Sequence, residues 1–414
     1  MNTARHGASP AYEEEERVTD ALLERMRALA PLIRARASEA ERLCRVTDDV
    51  THALAASGVW KALTPRALGG LGLGLRALCE VARTVSQADT STGWITCFLM
   101  EHNWMICRMP KAAQQRLYSD RDGYVLAAAP LAPGGKASRV PGGFLATGKW
   151  RYASGIAHAD WTFVCCTVET NGENVPWMLL LPVTSVTVHD EWHVAGMCAT
   201  NSTNLSASDV FVPEEMALEL DRFYSADRHE GADHAEAIYR YPLLQGLLVM
   251  MAGVAVGSAE GALDIARERL RQSAPWGVPR IDRATSRVRW IDASQDVRCA
   301  RLLYQDMLAR TIRKGDASED WTLEEQGQLD LDLAKVTHLC KNAIASLIAG
   351  CGSSALQLDD PLQRFWRDTG ILATHLGNDW DVVIERGARF VLGLGRLPND
   401  PLPPRVPTGQ AVPR

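Results

Sequence analysis

The sequence has no surplus of positive charge and no grouping of metal-binding side chains. Its 44 Lys and Arg residues are outnumbered by 50 Asp and Glu residues, so the formal net charge is −6. A chain of this charge lacks the basic surface that binds nucleic acid, and it gives no reason to expect anionic lipid as a partner. None of the ten cysteines forms a C-x-x-C pair, and no H-E-x-x-H pattern occurs. We therefore expect no nucleic-acid partner, no membrane partner and no metal.

The signatures of two common enzyme classes are also missing. The glycine-rich stretch GGLGLGLR does not have the G-x-G-x-x-G spacing of dinucleotide-binding folds, and no predicted strand precedes it. No G-x-S-x-G motif occurs. Ser154, His158 and Asp160 lie on one short segment, whereas the members of a hydrolase triad converge from separate elements. These patterns argue against a nicotinamide-binding domain and against a hydrolase.

No targeting segment is evident. The N-terminus carries Glu13 to Glu16 and resembles neither a secretory leader nor a basic transit peptide. The longest apolar run, near Gly246 to Ala259, is shorter than a membrane span needs. The sequence therefore predicts a cytoplasmic protein with reduced cysteines.

What is present indicates a mainly α protein with a β insert. Apolar residues recur at helical spacing over 21–117 and again over 241–394, while strand-like runs between them are separated by the turn signals Gly134-Gly135, Gly142-Gly143 and Asn171-Gly172. The β insert should form a small antiparallel barrel or sandwich. The predicted parts are a disordered N-terminus (1–18), an N-terminal helical domain (19–120), a central β domain (121–222), a C-terminal helical bundle (235–396) and a Pro-rich tail (397–414).

Three glycines four residues apart mark one helix of the bundle for close packing. Gly253, Gly257 and Gly261 lie on one face of a helix that is apolar almost all round. The spacing fits close contact between two subunits and, equally, tight packing inside one subunit.

Three segments resemble the acyl-CoA dehydrogenase superfamily. They are PRALGGLGLGLRALCEVARTVSQADTSTGW, then GGFLATGKWRYASGIAHADW with HDEWHVAGMCATNSTNLSASDVFVP, and PLQRFWRDTGILATHLGNDWDVVIERGARFVLG. Within the superfamily they look most like the two-component, reduced-flavin monooxygenases that include the oxygenase components of p-hydroxyphenylacetate hydroxylases. Each motif alone is moderately specific, but their order and spacing are those of the family.

The resemblance implies a fold, a cofactor and partners. The fold is acyl-CoA dehydrogenase-like, with an N-terminal helical domain, a central β domain and a C-terminal four-helix bundle. The function implied is an oxygenase component that takes reduced FMN or FAD from a separate NAD(P)H:flavin reductase and uses O2. It would hydroxylate an aromatic or polyketide-like small molecule through a C4a-hydroperoxyflavin. A homotetramer is implied, with flavin between subunits.

The resemblance also suggests roles for individual residues. His375 would act on protons at the oxygenation step, since a histidine titrates near neutral pH. Ser154 would bond near flavin N5, and His102 would bind or deprotonate the substrate. Trp94 and Trp150 would line the flavin. Arg269 or Arg271 would reach the flavin pyrophosphate of a neighbouring subunit, because guanidinium groups bind phosphate with paired bonds; surface salt bridges are the competing explanation.

Two other functions remain possible at this stage. Many acyl-CoA dehydrogenases carry a catalytic glutamate at the position that Leu376 occupies here, and leucine cannot accept a proton. An FAD-dependent acyl-CoA dehydrogenase or oxidase would thus need its base elsewhere. A catalytically inactive scaffold of the same fold is the third possibility. Cys198 and the run Ala127 to Ala129 also depart from the family pattern near the expected pocket and indicate an unusual substrate.

Overall fold

The N-terminal part of the protein is helical. The computed structural model describes residues 10–225 and 229–396. Gly58 ends the second helix in a left-handed conformation (φ 79°), and the Asp89 carboxylate begins the fourth by accepting a bond of 2.8 Å from Thr92 N. The helices are α1 (Pro10–Leu43), α2 (Asp48–Ser57), α3 (Leu75–Ser86), α4 (Thr90–Ile106) and α5 (Lys111–Tyr118).

Part of the predicted disordered N-terminus is helical instead. Helix α1 begins at Pro10, so the prediction of disorder over 10–18 is wrong. Glu13 stands in the first turn of this helix, where a carboxylate interacts favourably with the helix dipole. Glu14 also pairs with Arg17, with 2.6 Å between Oε1 and Nη2. Residues 1–9 and the predicted tail 397–414 lie outside the described residues.

The central region forms one sheet with parallel as well as antiparallel pairs, whereas the sequence predicted antiparallel pairs only. Its order is β6-β7-β3-β2-β4-β5-β8, and β1 pairs with β4. The strands β1 and β2 run parallel to β4, because the chain crosses from β3 to the far side of β2 before β4 begins. The strands are β1 (Ala127–Ala128), β2 (Pro133–Val140), β3 (Gly143–Trp150), β4 (Trp161–Thr170), β5 (Glu173–Pro182), β6 (Thr187–Val188), β7 (Leu205–Pro213) and β8 (Ala217–Glu219).

The predicted turns have different outcomes. Asn171 and Gly172 both have positive φ and connect β4 to β5 as a two-residue hairpin turn. Gly142 likewise lies in the turn between β2 and β3. Gly134 and Gly135, in contrast, lie inside β2. The indole of Trp150 packs where their side chains would be, which explains why these strand positions are glycine.

The close approach of Trp150 to β2 leads to a stability prediction. A Cβ atom on Gly135 would stand 2.3 Å from Trp150 Cζ2, so we expect Gly135→Ala to destabilise the protein by about 2–3 kcal/mol through overpacking. The control is Gly370→Ala in a helix, where no heavy atom lies within 4 Å of the added Cβ and the change should be neutral or slightly stabilising. Urea unfolding of both variants measures the difference; equal stabilities would contradict the prediction.

The C-terminal part is a bundle built around α7, which packs against α3, α8 and α9. Helix α7 is long and apolar enough to span a membrane, but 89% of its most apolar window is buried, as in a core helix. The apolar run noted in the sequence is thus part of a helix of 30 residues. The helices are α6 (Leu220–Tyr224), α7 (Leu243–Gln272), α8 (Ala284–Ala317), α9 (Leu323–Cys351), α10 (Pro361–Leu372) and α11 (Trp380–Val391).

The three spaced glycines of α7 pack inside the chain. Cβ atoms on Gly253, Gly257 and Gly261 would lie 2.8, 2.1 and 2.4 Å from the carbonyl oxygens of Cys79, Arg83 and Gln87. Cys79 and Arg83 lie in α3, and Gln87 is the residue that follows this helix. The spacing therefore serves the contact between the N-terminal helices and the bundle, which resolves the choice left open by the sequence.

Candidate active site

Four rings form a row along one face of α4 and reach the segment after α10. Trp94, Phe98 and His102 recur every four residues on α4, so their side chains share a face. Ring centroids lie 4.2 Å apart between Trp94 and Phe98 and 5.6 Å apart between Phe98 and His102. The His375 ring meets Trp94 edge-on at 5.2 Å. The structure thus brings together three residues predicted separately, and adds Phe98, which its spacing could have revealed.

His102 is a buried neutral imidazole whose free nitrogen is an acceptor. Its Nδ1 lies 2.5 Å from the carbonyl oxygen of Ala127; a carbonyl only accepts, so Nδ1 carries the hydrogen and Nε2 does not. Burial lowers the pKa of His102 to about 4. Nε2 lies 4.0 Å from Oε1 of Glu101. Burial raises the pKa of Glu101 well above its usual range.

His375 has the opposite tautomer. It lies in the turn between α10 and α11. Its Nδ1 accepts a bond of 3.2 Å from Gly377 N, so the neutral ring carries its hydrogen on Nε2. The residue as a whole is exposed in the single chain, but its ring packs edge-on against Trp94, and the surrounding protein atoms lower its pKa to about 4 by desolvating the imidazolium. His375 therefore offers a donor, while His102 offers an acceptor.

Ser154 connects the ring row to a loop of the β region. Its Oγ accepts a bond of 3.4 Å from Trp94 Nε1 and lies 2.6 Å from Oγ of Ser202. Ser202 Oγ lies 2.7 Å from Oγ1 of Thr200. All four side chains are buried. Neither Ser202 nor Thr200 was predicted, because no local pattern reveals a contact across 48 residues of sequence.

A buried carboxylate fastens the same loop to α10. Asp368 accepts bonds of 2.6 Å from Met197 N and 3.0 Å from Ser91 Oγ. Burial and the nearby Asp89 raise the pKa of Asp368 to about 7. One side chain therefore holds together α4, α10 and the loop that carries Thr200, and so fixes the relative positions of the site's parts.

Three predicted cofactor ligands lie apart from this cluster. Trp150 is 1% exposed, and its Nε1 donates to the carbonyl of Cys165 at 2.8 Å; its packing against β2 accounts for the residue without a cofactor. Arg269 pairs with the Asp360 carboxylate and bonds Ser354 Oγ at 3.1 Å. Arg271 is exposed near Glu268, at 3.8 Å. Within one chain the two arginines make the salt bridges that were the competing explanation.

Other features of the surface do not compete with this site. A cavity of about 440 Å³ lies against the sheet, and its charged lining residues are Glu214, Glu215, Glu219 and Arg222. The three glutamates outnumber the one arginine, so the net negative charge disfavours a flavin phosphate. Among the residues described, no group of His, Cys, Asp and Glu is arranged to hold a metal ion. Cys198, where the family often has arginine, directs its thiol to the carbonyl of Val194 at 3.1 Å.

Comparisons with known proteins identify the family. A family model described as the acyl-CoA dehydrogenase C-terminal domain matches residues 249–380. A pigment production hydroxylase from Rhodococcus sp. is 30% identical over 90% of this chain and 96% of its own length. The chain belongs to the flavin-dependent monooxygenases of the acyl-CoA dehydrogenase superfamily. The predicted family, fold class and enzyme class are therefore confirmed.

Other members of this family match nearly end to end. The oxygenase component of an FADH(2)-dependent resorcinol hydroxylase from Rhizobium sp. is 29% identical over 95% of this chain and 98% of its own. Among solved structures, XiaF from Streptomyces sp. in complex with FADH2 and glycerol has a TM-score of 0.87 at 26% identity. The match covers 96% of this chain and all of XiaF. The comparisons do not test the roles of individual residues, which remain predictions.

Proposed function

We propose that this monooxygenase is an oxygenase component that hydroxylates a phenol-like aromatic molecule beside the ring row, with reduced flavin supplied by a separate reductase. The observation that carries the proposal is the pair of neutral histidines of opposite tautomer at the two ends of that row. Relatives named as a resorcinol hydroxylase oxygenase component and as monooxygenase oxygenase subunits support both the need for a reductase and the phenolic substrate class.

The residues present fit a reduced flavin. When bound, reduced flavin supplies the electrons that activate O2. Ser154 offers a buried acceptor for an N–H group, and Trp94 and Phe98 offer a flat apolar wall. His375 would donate its Nε2 hydrogen where negative charge develops on oxygen. His102 Nε2 would accept a hydrogen bond from a phenolic hydroxyl, which polarises the O–H bond and activates the aromatic ring towards oxygenation.

We further propose a cytoplasmic homotetramer. Helix α8 exposes Val288, Ile291 and Leu302, a set of large apolar side chains that association would bury. Arg269 lies about 27 Å along α7 from Met251, at 1.5 Å per residue, and Met251 contacts the His375 turn through Gly377. If Arg269 or Arg271 binds a flavin phosphate, the flavin must therefore belong to another subunit's site.

Isotope labelling tests the proposed function. Purified protein is mixed under 18O2 with chemically reduced FAD or FMN and a panel of phenols, and products are analysed by mass spectrometry. One 18O atom should enter the aromatic product, and a reductase with NADH should replace chemical reduction. Consumption of reduced flavin without labelled product from any phenol would contradict the proposal, as would 18O entering an acyl thioester instead.

A further inference from the structure

The hydrogen bonds between Ser154, Ser202 and Thr200 have only one possible direction. Thr200 Oγ1 lies 2.7 Å from the carbonyl oxygen of Met197, and because a carbonyl cannot donate, Thr200 gives its only hydroxyl hydrogen there. In its contact with Thr200, Ser202 must then be the donor. In the 2.6 Å contact between the two serines, Ser154 must be the donor in turn.

Ser154 is consequently left with lone pairs and no hydrogen to offer. One lone pair of its Oγ accepts from Trp94 Nε1, and a second remains available. Ser154, Ser202 and Thr200 are 6%, 6% and 1% exposed, so bulk water does not compete for these bonds. In this arrangement, Ser154 can accept a hydrogen bond from a ligand but cannot donate one.

The hydroxyl chain is not what holds its two loops together. Backbone bonds of 2.8 Å already join Ala153 N to Thr203 O and Gly155 N to Thr200 O. The hydroxyls of Ser202 and Thr200 are therefore not needed to join the two loops. What they determine is whether the Ser154 hydroxyl donates or accepts a hydrogen bond.

We propose that Ser202 and Thr200 are positioning residues that hold Ser154 as an acceptor and so make the site select flavin whose N5 carries a hydrogen. The inference rests on the proposed function, in which Ser154 accepts a hydrogen bond from an N–H group of reduced flavin; the family resemblance implies that this group is N5–H. Reduced flavin has an N5–H donor that suits the lone pair of Ser154. Oxidised flavin has a lone pair at N5, which Ser154 in this orientation cannot bond.

Anaerobic binding measurements of both redox states test the inference. Dissociation constants for FADH2 and FAD are determined by equilibrium dialysis for wild type, Ser202→Ala and the near-isosteric Thr200→Val. Without Ser202, the Ser154 hydroxyl can turn and donate to oxidised N5. We expect FAD to bind about fivefold more tightly to Ser202→Ala, the gain of roughly one hydrogen bond, while FADH2 affinity changes little. Thr200→Val should shift the ratio in the same direction.

The control is Ser206→Ala, which removes a serine hydroxyl that is not part of the Ser154–Ser202–Thr200 set and that bonds His189 at 2.8 Å. This variant should leave the ratio of the FAD and FADH2 dissociation constants unchanged. Equal weakening of both redox states in Ser202→Ala and Thr200→Val would show a structural role only and would overturn the inference. If wild type forms 18O-labelled product but both variants keep the wild-type ratio of the FAD and FADH2 dissociation constants, this inference alone is wrong. If wild type binds neither redox state, the proposed function is wrong as well.

Discussion

Replacing His375 by alanine should lower the yield of oxygenated product per reduced flavin consumed by about 100-fold, the scale of a lost proton donor. The low pKa of the ring, about 4, keeps it neutral at physiological pH, and the bond from Gly377 N keeps its hydrogen on Nε2. The variant loses that donor but keeps Trp94 and Ser154. Reduced flavin should still bind, and the oxygen consumed should appear as hydrogen peroxide instead of product.

The measurement combines product quantification by mass spectrometry with a peroxidase assay for hydrogen peroxide. His375→Gln, which keeps an N–H donor, should recover part of the yield. The control is His52→Ala, an exposed histidine on α2, which should behave as wild type. A His375→Ala enzyme that retains the wild-type ratio of product to peroxide would remove His375 from the mechanism.

Local chemistry explains what the sequence allowed us to predict. The Asp89 cap and the Asn171-Gly172 hairpin each depend on residues within a few positions of one another, so their patterns are visible without the fold. The resemblance to the monooxygenase family likewise depends on short motifs, and these placed Trp94, Ser154 and His375 in one site. The rings of Trp94 and His375 do meet.

Long-range contacts explain what was missed. Gly134 and Gly135 have the composition of a turn, but they are strand residues, and the distant indole of Trp150 occupies the space that their side chains would need. The parallel pairing of β2 with β4 depends on a chain crossing that alternation of apolar residues does not encode. The tautomers of the two histidines depend on a backbone carbonyl at Ala127 and a backbone amide at Gly377. Residue type alone could not distinguish the donor from the acceptor.

Asp368 belongs to a motif that is visible in the sequence, but its role depends on partners that are distant in the sequence. The Arg-Asp pair of the third segment is visible in the sequence, but the bonds from Met197 N and Ser91 Oγ span 171 and 277 residues. A Cβ on Gly196, beside Met197, would lie 2.5 Å from the carbonyl oxygen of Arg367. The loop therefore sits directly on α10, and Asp368 is the polar group that receives it.

The protonation of Asp368 should make the stability of the site depend on pH. Its pKa rises from 3.8 to about 7 on burial beside Asp89, so the native state binds more protons than the unfolded state between these values. Stability from this group is fully present below about pH 4 and is lost as pH rises to 7. The loss can reach about 1.4 kcal/mol per pH unit within that window.

Asp368→Asn removes this titration while keeping one acceptor for Met197 N. Urea unfolding from pH 4 to pH 8 should show wild type losing stability relative to the variant as pH rises, with the difference levelling off above pH 7. Most other titrations cancel in the comparison, because distant sites contribute additively. Asp359→Asn, at an exposed carboxylate just before α10, is the control and should leave the slope in place. A difference between wild type and Asp368→Asn that is independent of pH would mean that Asp368 stays ionised throughout, held by Met197 N and Ser91 rather than neutralised by burial.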